Sequence, residues 1–294
     1  MLGLALGRPG DELEAELSDT PGVDIVDIMG DRGALSRDPT DNVIGQAAND
    51  VLQRAGTGAG VRLWLHKQMP LASGLGSSGA SSAAAAFAVN ELLGRPLSQR
   101  DVVLSAMEGE RAASGSLHAD NVAPSVMGGI VLVRSYEPFE VVSLPVPPDL
   151  HVVVVHPHST VSTAEARKLL KGRSYPINDV VTNLGNVAAL VAALAAGDLT
   201  LLGRSIEDRL VEPLRAPLIP GFGSVKQAAL RAGALGCSIA GSGPSVFAFA
   251  GDGGVAGEIG AEMQAAFRSA ADLDSDLYSG TVNKEGARVI SYLK

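Results

Sequence analysis

The strongest chemical signal in the sequence lies in residues 70–94, PLASGLGSSGASSAAAAFAVNELLG, where glycines and serines precede a run of alanines. A helix that begins near Ser77 exposes unpaired backbone N–H groups and the positive end of its dipole. Glycine and serine lack the bulk that would keep a phosphate away, and serine hydroxyls can bind an oxygen or a metal. Gly94 and Pro96 end the predicted helix. The segment therefore predicts a polyphosphate site at a helix N-terminus.

Other phosphate-binding patterns fit this segment less well. The glycine spacing in 74–79 matches the dinucleotide fingerprint, but that pattern needs a strand leading into the first glycine and an acidic residue ending the next strand. Pro70 interrupts the approach, and Glu91 and Asp101 lie in helical patterns. The sequence has no Gly-Lys-Ser/Thr of a Walker loop, no His-Arg-Asp and no Asp-Phe-Gly. A purely structural glycine loop remains the alternative.

Two arginines are candidates for binding an acidic small molecule. Thr163 and Arg167 stand at i and i+4 and share a helix face, and Arg215 lies in a loop bracketed by prolines. A guanidinium fork meets both oxygens of a carboxylate at once, so the pair suits an amino-acid carboxylate. The alternative is that both are ordinary surface arginines.

Acidic and polar residues follow the glycine segment. Glu110 lies on a predicted helix and is either a magnesium ligand or a solvated acid, with Glu108 as its competitor. His118, Asp120 and Asn121 are predicted to lie in a loop, where polar groups either serve function or stabilise turns.

The totals limit what the chain can do. A net charge of −9 over 294 residues argues against general nucleic-acid binding. The single cysteine, Cys237, excludes an intrachain disulfide and suits a reducing cytoplasm. The longest apolar stretch, 187–196, is too short to span a bilayer, and MLGLALGRPGDE at the start does not resemble a signal peptide. We expect a cytoplasmic protein that binds neither nucleic acid nor membrane.

The elements that must position these residues are helices and strands without strict alternation, which predicts the α+β class. Helices are expected at 41–55, from Ser77, after Ser98, and at 163–171, 179–196, 199–209, 223–232 and 255–270. Strands are expected within 11–28, at 61–67, 128–134 and 151–156, and on both sides of 241–244. Three prolines in 144–150 mark a linker. The chain is therefore divided into domains 1–146 and 147–294.

The sequence resembles a known family at several of these places. Residues 70–78, Pro-x-x-x-Gly-Leu-Gly-Ser-Ser, are similar to the ATP-binding motif of the GHMP small-molecule kinases, with Gly79 where the motif usually has alanine. Residues 241–245, GSGPS, are similar to the C-terminal glycine motif of that superfamily. Within it, the sequence most resembles the homoserine kinase family. That closer resemblance comes from 114–124 (SGSLHADNVAP), 162–167 (STAEAR) and 212–221 (EPLRAPLIPG).

The resemblance, which covers nearly the whole chain, implies a fold, a reaction and a set of site residues. The implied fold is a two-domain GHMP kinase fold, with an N-terminal domain like domain 2 of ribosomal protein S5 and a ferredoxin-like C-terminal domain. The implied reaction moves the ATP γ-phosphoryl group to the side-chain hydroxyl of L-homoserine with Mg²⁺, in a homodimer. The implied nucleotide contacts are Asn42, Pro70, Ser73, Gly74, Leu75, Gly76, Ser77, Ser78, Gly79 and Ala80. The implied Mg²⁺ ligands are Ser78 and Glu110, and the implied substrate contacts are His118, Asn121, Thr163, Arg167 and Arg215. Of these, Asn121, His118 and Arg167 are the candidate catalytic residues, and His118 is the fallback candidate for a general base.

One departure from the family matters for activity. The family's first motif, Asn-Leu-Gly-x-Gly-Phe-Asp, precedes Leu-Gly-Leu-Ala-Leu, and here the chain begins with Met1 directly before that run. The favoured interpretation is a start that lies upstream, with weak activity and reduced stability for the chain as given. The alternative to an upstream start is a degenerate relative. For the function, the alternatives are another GHMP kinase acting on a small hydroxylated acid, and a relative that binds a nucleotide or amino acid without catalysis.

Overall fold

The computed structural model describes residues 1–114 and 118–292, which form helices and strands without regular alternation. The elements of the first half are β1 (Leu2–Leu4), β2 (Glu12–Ser18), β3 (Gly22–Met29), α1 (Val43–Arg54), β4 (Gly60–His66), α2 (Ser77–Leu92), α3 (Gln99–Ser114), α4 (Ala119–Met127), β5 (Ile130–Tyr136) and β6 (Phe139–Leu144). Those of the second half are β7 (His151–Pro157), α5 (Thr163–Lys168), α6 (Ile177–Ala196), α7 (Leu199–Arg204), α8 (Glu212–Arg215), α9 (Phe222–Arg231), β8 (Gly236–Ile239), β9 (Val246–Ala250), α10 (Gly253–Ala271) and β10 (Ser275–Thr281). The predicted α+β class is confirmed.

The first half is organised around β4. This strand lies between β2, which runs antiparallel to it, and β3, which runs parallel to it. Successive side chains of a strand point to opposite faces, and Val61, Leu63 and Leu65 all enter a core shared with α1, α2 and α3. Lys67 follows at the next position of the same alternation and is also buried. The end of β4 is therefore fixed in the core immediately before the glycine-rich segment.

Small side chains bring α2 close to its neighbours. Ala83, Ala85 and Ala86 are buried against the other helices of the first half. Gly109 of α3 lies so near that an added Cβ would sit 2.1 Å from the hydroxyl oxygen of Ser82. The alanine run thus lets α2 sit deep in the domain, with its N-terminus at the edge where the glycine-rich segment ends.

The second half is built on an antiparallel sheet of order β10-β7-β9-β8. Strand β7 is buried on both faces: Val153 and Val155 join a core with α9 and α10. Val152 and Val154 join a second core, to which Ile130 of β5 also belongs. That second core packs the two halves of the chain against each other, so residues far apart in sequence can meet between them.

The segment between β6 and β7 contains neither helix nor strand, in agreement with the predicted linker at 144–150. The sheet of order β1-β5-β6 precedes it, and the sheet that contains β7 follows it. The division of the chain into domains at 146/147 stays a prediction.

Helix α6 corrects one expectation from the sequence. It extends over 20 residues, and by length and composition alone it could cross a membrane. The sequence-based expectation counted only the uninterrupted apolar stretch, 187–196, and so missed the preceding turns. Its outer face exposes apolar side chains at helical spacing, namely Ile177, Val181, Leu184 and Val187.

Candidate active site

The glycine loop, residues 73–80, ends in the first turn of α2. Gly74 and Gly76 adopt positive φ angles of 78° and 73°, which glycine reaches without strain. The amide of Ala80 donates to the carbonyl of Gly76 at 2.9 Å, as a regular helical bond. Residues 77–79 precede Ala80 in the helix, and the first backbone amides of a helix have no acceptor within that helix. They are thus available to an anion at the positive end of a helix of 16 residues.

A second glycine segment, 241–244, lies against the glycine loop. An added Cβ at Gly74 would stand 2.6 Å from the carbonyl oxygens of both Ala240 and Gly243. The amide of Ser245 donates to the carbonyl of Ser73 at 3.3 Å. The two motifs singled out in the sequence are therefore in direct contact, and neither backbone leaves room for a side chain at Gly74.

Glu110 is the acid that faces the glycine loop. It is 4% exposed, and the hydroxyl of Ser78 forms a hydrogen bond to its carboxylate. Burial raises the pKa of Glu110, as does the nearby charge of Asp120, while the bond from Ser78 and the charges of Lys67 and Arg167 oppose this. A buried carboxylate beside a hydroxyl is the hard oxygen pair that suits Mg²⁺.

Glu108 lies elsewhere on the same helix. Its carboxylate accepts from the guanidinium of Arg111 at 2.6 Å, on a side chain that is 31% exposed. The sequence left Glu108 as a competitor of Glu110. The structure separates the two by the direction in which each points from α3.

The polar segment at 118–121 begins a helix, so the prediction of a loop was wrong. His118 is the N-cap of α4, and Asp120 occupies its first turn. An acid at this position interacts favourably with the helix dipole. The side chain of Asn121 packs on the glycine loop: an added Cβ at Gly76 would lie 2.7 Å from its Cγ, and one at Gly79 would lie 3.0 Å from its Cβ. Asn121 thus stands beside the predicted phosphate site.

Arg167 lies on α5 and reaches across to His118. Its Nη2 is 2.6 Å from Nε2 of the imidazole. Since a guanidinium only donates, Nε2 accepts and the ring proton is on Nδ1, which is 3.8 Å from Oδ1 of Asp120. Burial and the charge of Arg167 lower the pKa of His118, while Asp120 raises it. The nitrogen lone pair that a general base needs is therefore bonded to Arg167.

Arg215 lies in the short helix α8 and not in a loop as the prolines predicted. Its Nη1 donates to the carbonyl of Gly241 at 2.7 Å, next to the second glycine segment. Its Nε is buried and finds no hydrogen-bond partner within the part of the chain that the structure describes. Burial lowers the pKa of Arg215, and so does the charge of Arg167, while Asp208 raises it. Two cations close enough to repel each other suit an anion bound between them.

For the remaining predicted site residues, the structure gives less direct information about a role in binding. Asn42 caps α1: its Oδ1 accepts from the amide of Ile44 at 3.0 Å, and its side-chain amide donates to the carbonyl of Ser36. Its contact with a nucleotide stays a prediction. The side chain of Thr163 lies outside the described part of the chain. Pro70 and Leu75 are half-buried on the glycine segment.

A cavity of about 950 Å³ lies between the two halves of the chain, and neither Glu110 nor the two arginines line it. Gly74 and Leu75 of the glycine loop line it, together with Asp120, Asn121 and Gly241. This volume is typical of a small-molecule site. The glycine loop, the start of α4 and the second glycine segment therefore open onto one space.

Sequence reasoning missed three residues behind the glycine loop: Asp11, Lys67 and Ser81. They form a buried hydrogen-bonded group beneath the first turn of α2. One signal was available. Val61, Leu63, Leu65 and Lys67 occupy every second position, so the alternation that buries the first three side chains also turns the lysine inward.

Helix amides open to an anion, with two guanidinium groups nearby, suit the site of a small-molecule kinase. Comparison with known proteins agrees. The model of the GHMP kinases N terminal domain matches residues 42–129, and that of the GHMP kinases C terminal matches residues 190–269.

Individual relatives give the finer assignment. The homoserine kinase of Chlorobium phaeobacteroides is 46% identical over 301 residues, covering 99% of this chain and 94% of that one. The crystal structure of homoserine kinase from Cytophaga hutchinsonii is 48% identical with a TM-score of 0.93, covering 97% of this chain and 90% of that one. The mevalonate kinase of L. major, 21% identical with a TM-score of 0.69 over 95% of this chain and 87% of its own, shares the fold. The chain belongs to the GHMP kinases and, within them, to the homoserine kinase family.

Proposed function

We propose that the chain transfers the γ-phosphoryl group of ATP to the side-chain hydroxyl of L-homoserine, giving O-phospho-L-homoserine for threonine biosynthesis. The observation that carries the proposal is the contact of Asn121 with Gly76 and Gly79. Because of it, a residue expected to line the homoserine pocket stands beside the helix N-terminus expected to bind the phosphates.

The nucleotide half of the reaction relies on the glycine loop. The amides of residues 77–79 offset charge on the phosphates, and the closed contact with residues 241–244 keeps the loop backbone fixed. The hydroxyl of Ser78 and the carboxylate of Glu110 are oxygen donors that fit Mg²⁺, which would neutralise phosphate charge when bound. Mg²⁺ accepts few protein ligands and keeps water and phosphate oxygens for the rest of its shell.

The acceptor half of the reaction relies on positioning. Arg167 and Arg215 would hold the substrate carboxylate. Two observations support this role: the charge of Arg167 lowers the pKa of Arg215, so the two cations lie near each other, and the Nε of Arg215 is buried. With the carboxylate fixed, the side-chain hydroxyl would reach towards Asn121. The new bond joins the hydroxyl oxygen to the γ-phosphorus, ADP leaves, and the hydroxyl proton is released. Phosphoryl transfer depends mainly on alignment and charge neutralisation, so no general base is assigned.

Three further properties belong to the same proposal. We propose a homodimer that uses the exposed apolar face of α6 as its contact, and sedimentation of the native protein tests it. We also propose a cytoplasmic enzyme that binds neither nucleic acid nor membrane. The net charge of −9 and the single cysteine support this.

The division into domains 1–146 and 147–294 is proposed because the two halves have separate apolar cores.

The experiment is mass spectrometry of the product after incubation with ATP, Mg²⁺ and L-homoserine. We expect phosphohomoserine, and ADP in equal amount by a coupled assay. A panel with mevalonate and L-threonine in place of homoserine tests the alternative GHMP kinase. Faster turnover of either compound would contradict the homoserine assignment. ATP binding in a calorimeter without any phosphorylated product would favour the non-catalytic relative.

A further inference from the structure

A buried lysine lies directly behind the glycine loop. Lys67 is the first residue after β4, and its side chain is 2% exposed. Its Nζ donates to the carboxylate of Asp11, to the carbonyl of Ser77 at 2.7 Å and to the hydroxyl of Ser81 at 2.9 Å. An ammonium group has three N–H donors, so all of them are satisfied. Two of the three acceptors belong to the first two turns of α2.

Asp11 completes this group, and its side chain is fully buried. Its Oδ1 accepts from the amides of Gln68 and Met69, each at 2.9 Å. Its Oδ2 accepts from Lys67 and from the hydroxyl of Ser81 at 2.6 Å. One carboxylate therefore joins the chain just after β4 to α2. We call Asp11, Lys67, Ser77 and Ser81 the loop anchor.

The loop anchor acts by geometry more than by charge. Burial lowers the pKa of Lys67, while the charges of Asp11 and Glu110 oppose this and favour the ammonium form. Because Asp11 lies against Lys67, their opposite charges largely cancel at the distance of the phosphate site. A buried and fully hydrogen-bonded ion pair fixes the groups that contribute to it. Here those groups include the carbonyl of Ser77, whose residue begins the helix.

We propose that Lys67 is a positioning residue for the nucleotide, which together with Asp11 fixes the direction of the amides of residues 77–79. It acts through the first turn of α2 and does not touch ATP. The inference rests on the proposed function, because it takes those amides to be the phosphate site. Loss of the loop anchor then weakens ATP binding selectively, while the arginines that face the second substrate stay in place.

The test compares Lys67→Met with Asp11→Asn/Lys67→Met. We expect Lys67→Met to raise KM for ATP by about tenfold and to leave KM for homoserine within about twofold. The double variant removes both buried charges and keeps an oxygen for the amides of Gln68 and Met69. Its free energy of unfolding should recover towards wild type, while KM for ATP stays raised. A return of KM for ATP to the wild-type value in the double variant would overturn the proposal.

A matched control separates positioning from loss of stability. Val51→Ala empties part of the same core without touching the loop, and we expect it to lower the unfolding free energy with KM for ATP unchanged. An equal rise in KM for ATP in this control would count against a specific role of Lys67. Should Lys67→Met not fold, Ser81→Ala keeps both charges and should still raise KM for ATP.

The variant Ser78→Ala distinguishes an error in the positioning role of Lys67 from an error in the location of the phosphate site. This variant removes the hydroxyl that contacts Glu110. If it weakens ATP binding while Lys67→Met does not, only the positioning role is wrong. If neither variant affects ATP, the phosphate site lies elsewhere and the inference falls with it.

Discussion

Nη2 of Arg167 lies 2.6 Å from Nε2 of His118, so the guanidinium proposed to bind the substrate is held by a neutral imidazole. The two residues are 49 positions apart and belong to different halves of the chain. The bond occupies the nitrogen that a general base would use, and burial together with the charge of Arg167 lowers the pKa of His118. The imidazole therefore orients the guanidinium in the structure as it stands.

The first prediction separates these two roles of His118. His118→Leu removes the acceptor, so Arg167 loses its orientation and KM for homoserine should rise about tenfold with KM for ATP unchanged. His118→Gln keeps a side-chain oxygen acceptor and should recover part of the loss. Steady-state kinetics of both variants provide the check. A general base would instead be revealed by equal, large losses of kcat in both variants.

The second prediction concerns the two acids of α3. Glu110→Gln removes the buried carboxylate beside Ser78, and we expect kcat/KM to fall at least about a hundredfold, equivalent to about 2.7 kcal/mol. The Mg²⁺ concentration for half-maximal rate should increase as well. Glu108→Gln on the same helix is the matched control and should change neither. Similar kinetics for the two variants would show that Glu110 does not bind the metal.

The third prediction tests the contact between the two glycine segments. Gly74→Ala adds a Cβ that would stand 2.6 Å from two carbonyl oxygens, at a φ of 78° that disfavours alanine. The loop must shift, so KM for ATP should rise at least about tenfold. Gly58→Ala, in open space at an ordinary φ, serves as the control. Wild-type kinetics in Gly74→Ala would mean that this contact has no bearing on nucleotide binding.

The fourth prediction is a pH dependence of stability that involves His156. This buried side chain accepts from or donates to the hydroxyl of Ser245 through Nδ1, at 3.1 Å. Burial lowers its pKa below the ordinary 6.5, and His158 adds to the effect while Asp276 opposes it. The unfolded chain therefore binds a proton more readily than the native protein does. Stability from this source is present above pH 6.5 and is lost as the pH falls through the lower native pKa.

Urea unfolding of wild type and His156→Gln at pH 8 and pH 5 measures this contribution. Wild type should lose more free energy of unfolding between the two pH values than the variant does. Equal losses would show that His156 does not contribute to the acid sensitivity. His118 titrates in both proteins and so cancels in the comparison.

The sequence by itself predicted a phosphate site. Glycines and serines within 74–79, before an alanine run, suit a close approach of an anion to the backbone, because side-chain bulk is low where a helix exposes its amides. Local patterns also determined most helices and strands, since the periods of apolar residues distinguish the two. The alternation along β4 likewise implies that Lys67 turns inward.

Tertiary structure alone decided which of these groups meet. The pairing of Arg167 with His118 and the packing of Asn121 on Gly76 join segments that share no local pattern. Local pattern fits Glu108 and Glu110 to a helix equally well, and the family resemblance alone implied Glu110; the structure adds that Glu110 is buried and that Glu108 pairs with Arg111. The short helices that begin at Ala119 and at Glu212 were also missed, because short helices owe their stability to neighbours and not to their own sequence. Contacts between distant segments depend on how the whole chain packs, and the local propensities of the residues do not predict them.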